Sequence, residues 1–144
     1  MNRPRFALSL PSDLRMLSVA RTFVEAACQA CELERGLVHA MVLATGEAIT
    51  NIVRHAHRDR VDAEMQIVLE FRPEGIRLTF FDQGFPFDID SVPVLPPGEL
   101  RIGGRGVFLL RTLMDEIACQ RREDRPGNRL CLLKRWPSPV RCVG

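Results

Sequence analysis

At 144 residues, 46% hydrophobic and 26% charged, the chain has the composition of one soluble globular domain large enough to bury a core of its own. A formal net charge of +2 is too small to argue for direct nucleic-acid binding. No stretch approaches the length of a membrane span, and the opening Met-Asn-Arg-Pro-Arg-Phe lacks the apolar centre of a secretory signal, so the cytoplasm is the expected compartment.

Lys134 is the sole lysine, and the other basic residues are arginines. Arginine suits phosphate and carboxylate contacts, a bias that GC-rich coding also produces. The five cysteines, at 28, 31, 119, 131 and 142, are odd in number and scattered, which is no disulfide framework. Cys28 and Cys31 form a C-x-x-C late in an apolar-periodic helix, with no second pair and no nearby His. Small buried side chains are the reading preferred over metal or redox chemistry.

In chain order, Phe6, Leu8 and Leu10 alternate with smaller or polar neighbours and predict a half-buried strand from Arg5 to Leu10. Pro11 and Ser12 end it, and Ser12 or Asp13 caps a helix running to about Ala30. A second helix is expected from about Leu37 to Ala56, followed by a charged loop from His57 to Asp62. Met65, Ile67, Leu69 and Phe71 alternate, Pro73-Glu74-Gly75 turns the chain, and Ile76, Leu78 and Phe80 alternate again, predicting an antiparallel hairpin. From Ile89 to Gly106 three prolines and four glycines exclude helix or central strand, and a segment of that length is often a lid or binding loop. A short helix from Val107 to about Asp115 then turns Val107, Leu110, Leu113 and Met114 inward. A final hairpin joins Glu116–Arg122 to Asn128–Trp136, and 137–144 forms a loose tail. Paired strands adjacent in sequence predict a mostly antiparallel sheet with the helices on one face, an α+β two-layer sandwich.

Three segments carry polar residues at spacings that suit chemistry. In the second helix Glu47, Asn51 and His55 recur every fourth residue and form one stripe, beside apolar Leu43, Ile49, Ile52, Val53 and Ala56. The stripe is either a solvated side or the wall of a magnesium-nucleotide site, since an amide oxygen suits a hard cation and a carboxylate accepts a proton. Asp82-x-Gly84 ends a strand. It is either an ordinary turn or a carboxylate that accepts from an exocyclic amine beside a glycine that admits a flat ring. Gly103-Gly104-Arg105-Gly106-Val107 runs into a helix whose free N–H groups and dipole attract phosphate, although such loops are also ordinary linkers. It lacks the Gly-Lys-Ser/Thr ending of a Walker A loop.

Taken in order, Glu-Ala-Ile-Thr-Asn-Ile-Val-Arg-His-Ala, Asp-Gln-Gly-Phe-Pro-Phe-Asp and Gly-Gly-Arg-Gly-Val-Phe-Leu-Leu-Arg-Thr-Leu-Met-Asp resemble the GHKL ATPase superfamily, and within it the small anti-sigma-factor serine/threonine kinases of bacteria. The resemblance covers the chain to about Trp136. It implies a Bergerat sandwich at 1–136, with ATP held between the helices and a lid at about 88–106. It implies that Asn51 holds Mg2+ and that Glu47 takes the proton of the attacking hydroxyl. Asp82 would read adenine with Gly84 beside the base, and Arg101, Gly103, Gly104, Arg105, Gly106 and Val107 would line the phosphates. Arg54 and His55 would lie near the same mouth with a minor role. Many relatives carry an apolar residue at the position of Arg105, whose guanidinium either reaches a phosphate or points to solvent. The implied partners are an antagonist (anti-anti-sigma) protein as substrate, a sigma factor, and a second copy of the chain as homodimer, with no membrane or direct nucleic-acid contact. The alternative on the same fold is a catalytically weak nucleotide-binding module that sequesters a protein partner. A sensor histidine kinase would bring a helical pair with a phosphorylatable histidine, and a gyrase- or chaperone-type ATPase would need far more chain.

Overall fold

The computed structural model describes residues 3–58, 60, 62–86 and 104–137, the first five residues of the last stretch as backbone alone. Strand β1 (Arg5–Pro11) leads through a 3-10 turn (Leu14–Met16) into helix α1 (Leu17–Ala30). Helix α2 (Arg35–Asn51) continues into a wider π turn (Ile52–Ala56). Strands β2 (Glu64–Phe71) and β3 (Gly75–Phe81), helix α3 (Gly104–Leu113) and strands β4 (Glu116–Arg121) and β5 (Asn128–Arg135) complete the order. All described pairings are antiparallel, in the order β1-β2-β3-β5-β4. This is the α+β sandwich expected, with one feature beyond it: β3 pairs with β5 and so joins the two hairpins into one sheet.

The period-2 patterns decide which face is buried. Met65, Ile67, Leu69, Ile76, Leu78, Phe80, Leu130 and Leu132 point from neighbouring strands into one layer, each 2% exposed or less. The helices cover that layer with Ala20, Val24, Met41, Ala44, Ala48, Ile49 and Ile52. Polar β4, with a largely exposed pattern, takes the edge, whereas the leucines of β5 require the interior position beside β3. Asp13 caps the first helical turn, its Oδ1 accepting from the Arg15 N–H at 2.8 Å. Cys28 is fully buried in the core, and burial pushes its thiol up to about 11, as fits a small packing residue.

Three expectations require correction. Leu43 is 37% exposed and does not belong to the apolar face of α2, whose inward side is carried by Met41, Ala44, Ala48, Ile49 and Ile52. The helix predicted from Val107 begins at Gly104, so Gly104, Arg105 and Gly106 form its first turn and not a loop. Glycine destabilises a helix interior by about 1 kcal/mol relative to alanine, yet the first turn tolerates it because few intrahelical bonds are formed there. Finally, Arg35–Ala56 is a helix of 22 residues long and apolar enough to cross a membrane by length and composition. Its apolarity has another cause, since 67% of its most apolar window is buried inside the protein. Arg101, Gly103, residues 88–103 of the expected lid and residues 138–144 of the tail lie outside the described residues.

Candidate functional site

The end of α2 is built around an amide that the core does not satisfy. Asn51 is 2% exposed, and its Nδ2 has no hydrogen-bond partner among the described residues. An unpartnered buried amide group costs about 1–3 kcal/mol, a cost that a ligand bonding to it would offset. Glu47 lies one turn earlier on the same side and is half-buried. Beyond Asn51 the helix widens, with the His57 N–H reaching the Ile52 carbonyl at 2.9 Å, five residues back. The widened turn takes in an extra residue and shifts everything after it around the axis. His55 therefore emerges exposed and Arg54 half-buried, while His57, predicted as part of a polar loop, is turned fully into the interior.

The second part of the site is the turn after β3. Asp82 is 1% exposed, and its Oδ1 accepts three N–H groups: Gly84 N at 2.8 Å, Asn128 Nδ2 at 2.9 Å and Asn128 N at 3.2 Å. Its Oδ2 has no hydrogen-bond partner among the described residues. One oxygen thus orients the carboxylate, and the other can accept an N–H such as that of an exocyclic amine. The rest of the turn is held as firmly. Asn128 Nδ2 also donates to Phe85 O at 2.7 Å, Arg121 donates to Gly84 O at 3.1 Å, and the Arg122 guanidinium donates to Asp82 O at 3.3 Å. The Phe85 N–H reaches Ala56 O at 2.9 Å, which ties this turn to the end of α2.

Two glycines make that packing sterically possible. A Cβ on Gly84 would stand 2.3 Å from Ala56 O, so the glycine is required by the helix end as well as by any ring that approaches. Gly127 adopts φ +141°, and a Cβ there would stand 2.0 Å from Asp82 O. Asn128, Gly127, Arg121, Arg122 and His57 were not singled out by spacing. The partners of these side chains in the Asp82 turn lie 26 to 46 residues away in the chain, and Gly127 falls in the turn between the last two strands.

The third part is the start of α3, which packs against α2. The amides of Gly104, Arg105 and Gly106, in the first helical turn, have no i−4 carbonyl within the helix and carry the positive end of its dipole. The side chains of Arg105 and Val107 lie outside the described residues.

The sequence model of the histidine kinase-like ATPase domain family matches residues 10–134. The chain belongs to that family. Among relatives of this histidine kinase-like ATPase domain, the serine-protein kinase RsbW of Oceanobacillus iheyensis is 28% identical over 118 residues, 76% of this chain and 75% of the relative. The same kinase from Listeria innocua is 27% identical over 121 residues, 78% and 77% of the two chains. That of Bacillus subtilis is 31% identical over 86 residues, 54% of each. The solved RsbU and RsbW domains of a Mycobacterium tuberculosis protein share the fold, with a TM-score of 0.60 at 13% identity over 92% of this chain and 32% of that one. The motifs that resembled the anti-sigma-factor kinase branch of the GHKL superfamily thus lie in a chain whose relatives are serine-protein kinases.

The family implies ATP, and the donor set of this kinase-like domain fits it. Among the described residues no three His, Cys, Asp or Glu side chains group into a metal cage. Magnesium needs none, because it keeps several waters and is shared between one or two protein oxygens and the phosphates. An amide turns end for end without covalent change, so the unpartnered end of Asn51 can present its oxygen to such an ion.

Proposed function

We propose that the protein is a Mg-ATP-dependent serine/threonine kinase that acts as an anti-sigma factor and phosphorylates a small antagonist protein in the cytoplasm. The observation that carries this reading is the buried Asn51 amide, whose Nδ2 is without a partner among the described residues, one helical turn from Glu47. Its support from outside the chain is the set of relatives named serine-protein kinases.

In this reading Asp82 Oδ2 accepts the adenine amine while Oδ1 stays locked to Asn128 and Gly84. The first-turn amides of α3 face the phosphates, helped by the cations Arg101 and Arg105 that flank Gly103 and Gly104. Asn51 offers its oxygen to Mg2+, which when bound neutralises phosphate charge as the γ-phosphoryl leaves. Glu47 accepts the proton of the serine or threonine hydroxyl as its oxygen bonds to phosphorus. Most of the rate comes from position and charge, the contributions that dominate phosphoryl transfer.

A single-turnover assay with γ-labelled ATP and a candidate antagonist tests the assignment. Glu47→Ala is expected to lose transfer by about 100-fold or more, the usual weight of a general base, with ATP affinity within a few-fold of the parent. Transfer by Glu47→Ala at the parent rate would remove Glu47 from the mechanism. Binding of ATP by the parent chain without any labelled protein would favour the nucleotide-regulated sequestering module.

A further inference from the structure

His57 is fully buried, charged-capable and unused by the chemistry above, and its ring spans two parts of the fold. Its Nε2 lies 3.3 Å from the Gln83 backbone N–H, the residue between Asp82 and Gly84. A backbone N–H can only donate, so Nε2 is the acceptor and carries no proton. In a neutral ring the proton is then on Nδ1, which donates to Ser12 Oγ at 2.5 Å. Ser12 is anchored in turn, its N–H bonded to Ala63 O at 2.8 Å. The ring therefore joins the end of β1, the end of α2 and the turn after β3.

We propose that His57 is a positioning residue for nucleotide binding, whose neutral Nδ1–H tautomer braces the Asp82-Gln83-Gly84 turn against Ser12 and so aims Asp82 at the base. The proposal rests on the nucleotide reading of Asp82. The side chains of the last hairpin restrain this turn from one side: Asn128, Arg121 and Arg122 belong to β5, β4 and the loop between them. His57 and the Ala56 carbonyl supply the opposing side, next to the helix that carries Asn51 and Glu47. A turn held from both sides keeps the carboxylate at a fixed distance from the Asn51 amide, which one purine triphosphate must span.

Protonating the ring would turn Nε2 into a donor facing another donor and break the brace. The groups around it are Asp82 at the end of β3, Arg60 and Asp62 on its own loop, and the Ser12 hydroxyl. Burial is the largest influence and holds the imidazole below its ordinary value of 6.5, with Asp82 opposing. The ring is accordingly neutral at physiological pH.

The test measures ADP affinity from pH 8 to pH 5.5 for the parent, His57→Gln and His57→Phe, together with the ring nitrogen NMR spectrum of His57. At pH 8 His57→Phe is expected to bind ADP about threefold to tenfold more weakly, the worth of one net hydrogen bond. His57→Gln, whose amide oxygen can stand in for Nε2, should recover most of that loss. Acidification should weaken the parent more than His57→Gln, because both share every titrating group except the ring. Superimposable pH profiles for these two proteins would overturn the proposal, as would parent-like binding by His57→Phe. The spectrum should show an unprotonated Nε2 at pH 8, and a proton on Nε2 would overturn it independently. That readout stands even if the parent binds no ADP, an outcome that would sink the nucleotide reading instead, or if His57→Phe fails to fold.

Discussion

Gly84→Ala is the substitution that separates fold from site most sharply. The new Cβ would stand 2.3 Å from Ala56 O, 2.5 Å from Ala56 C and 2.9 Å from the Ala56 Cβ, all below the 3.0 Å that real Cβ atoms respect. The two nearest neighbours are backbone at the end of a buried helix, so the turn itself must retreat, by about 0.7 Å in a region packed to crystal density. That retreat stretches the Phe85 N–H to Ala56 O bond, now 2.9 Å, and disturbs the Gly84 N–H to Asp82 bond, now 2.8 Å. Overpacking costs about 1–3 kcal/mol and each impaired hydrogen bond about 0.5–1.5 kcal/mol, for a destabilisation of about 2–4 kcal/mol. A domain of this size then melts roughly 6–12 °C lower while still folding. The assay is a pair of measurements, thermal melting and ATP affinity, with Gly36→Ala as control. Gly36 lies in the first turn of α2, where a Cβ meets nothing nearer than the flexible Glu34 side chain at 3.3 Å, so its replacement should be neutral or stabilise by up to about 1 kcal/mol. A Gly84→Ala protein that melts with the parent and binds ATP equally would refute the account of this turn.

Two further outcomes are expected. Asn51→Leu should raise the melting temperature, by removing a buried Nδ2 that has no partner among the described residues and costs about 1–3 kcal/mol, while abolishing magnesium-dependent ATP binding; a fall in stability would mean that the amide has a protein partner. Stability should also fall on acidification through His57. Because burial lowers the folded-state value, the folded protein binds this proton less readily than the unfolded chain. The contribution is complete above the ordinary value of 6.5 and drains away as pH falls from there through the folded value. Melting curves across that range should drop more steeply for the parent than for His57→Gln, and parallel slopes would contradict the sign.

Local pattern alone determined the elements. The alternation in Met65–Phe71 and Ile76–Phe80 and the turn residues at 73–75 and 123–127 are short-range signals that marked strands and turns within a residue or two, and the helical period after Asp13 marked a helix that begins at Leu17, behind a 3-10 turn. The stripe of Glu47 and Asn51 and the strand-ending Asp82 were legible for the same reason, since one helix or one strand end carries each. The tertiary structure decided what those residues face. Leu43 is exposed because the apolar side of α2 is chosen by the sheet beneath it, and His57 is buried because a π turn, which no period reveals, rotates it inward. The β3–β5 pairing and the clamp of Asn128, Arg121 and Arg122 on the Asp82 turn join segments more than thirty residues apart. Long-range contacts leave no periodic mark in the chain, since each depends on the space that other elements happen to leave. The candidate chemistry was therefore written in single residues, and the geometry around them arose only when the two hairpins and the core helix met.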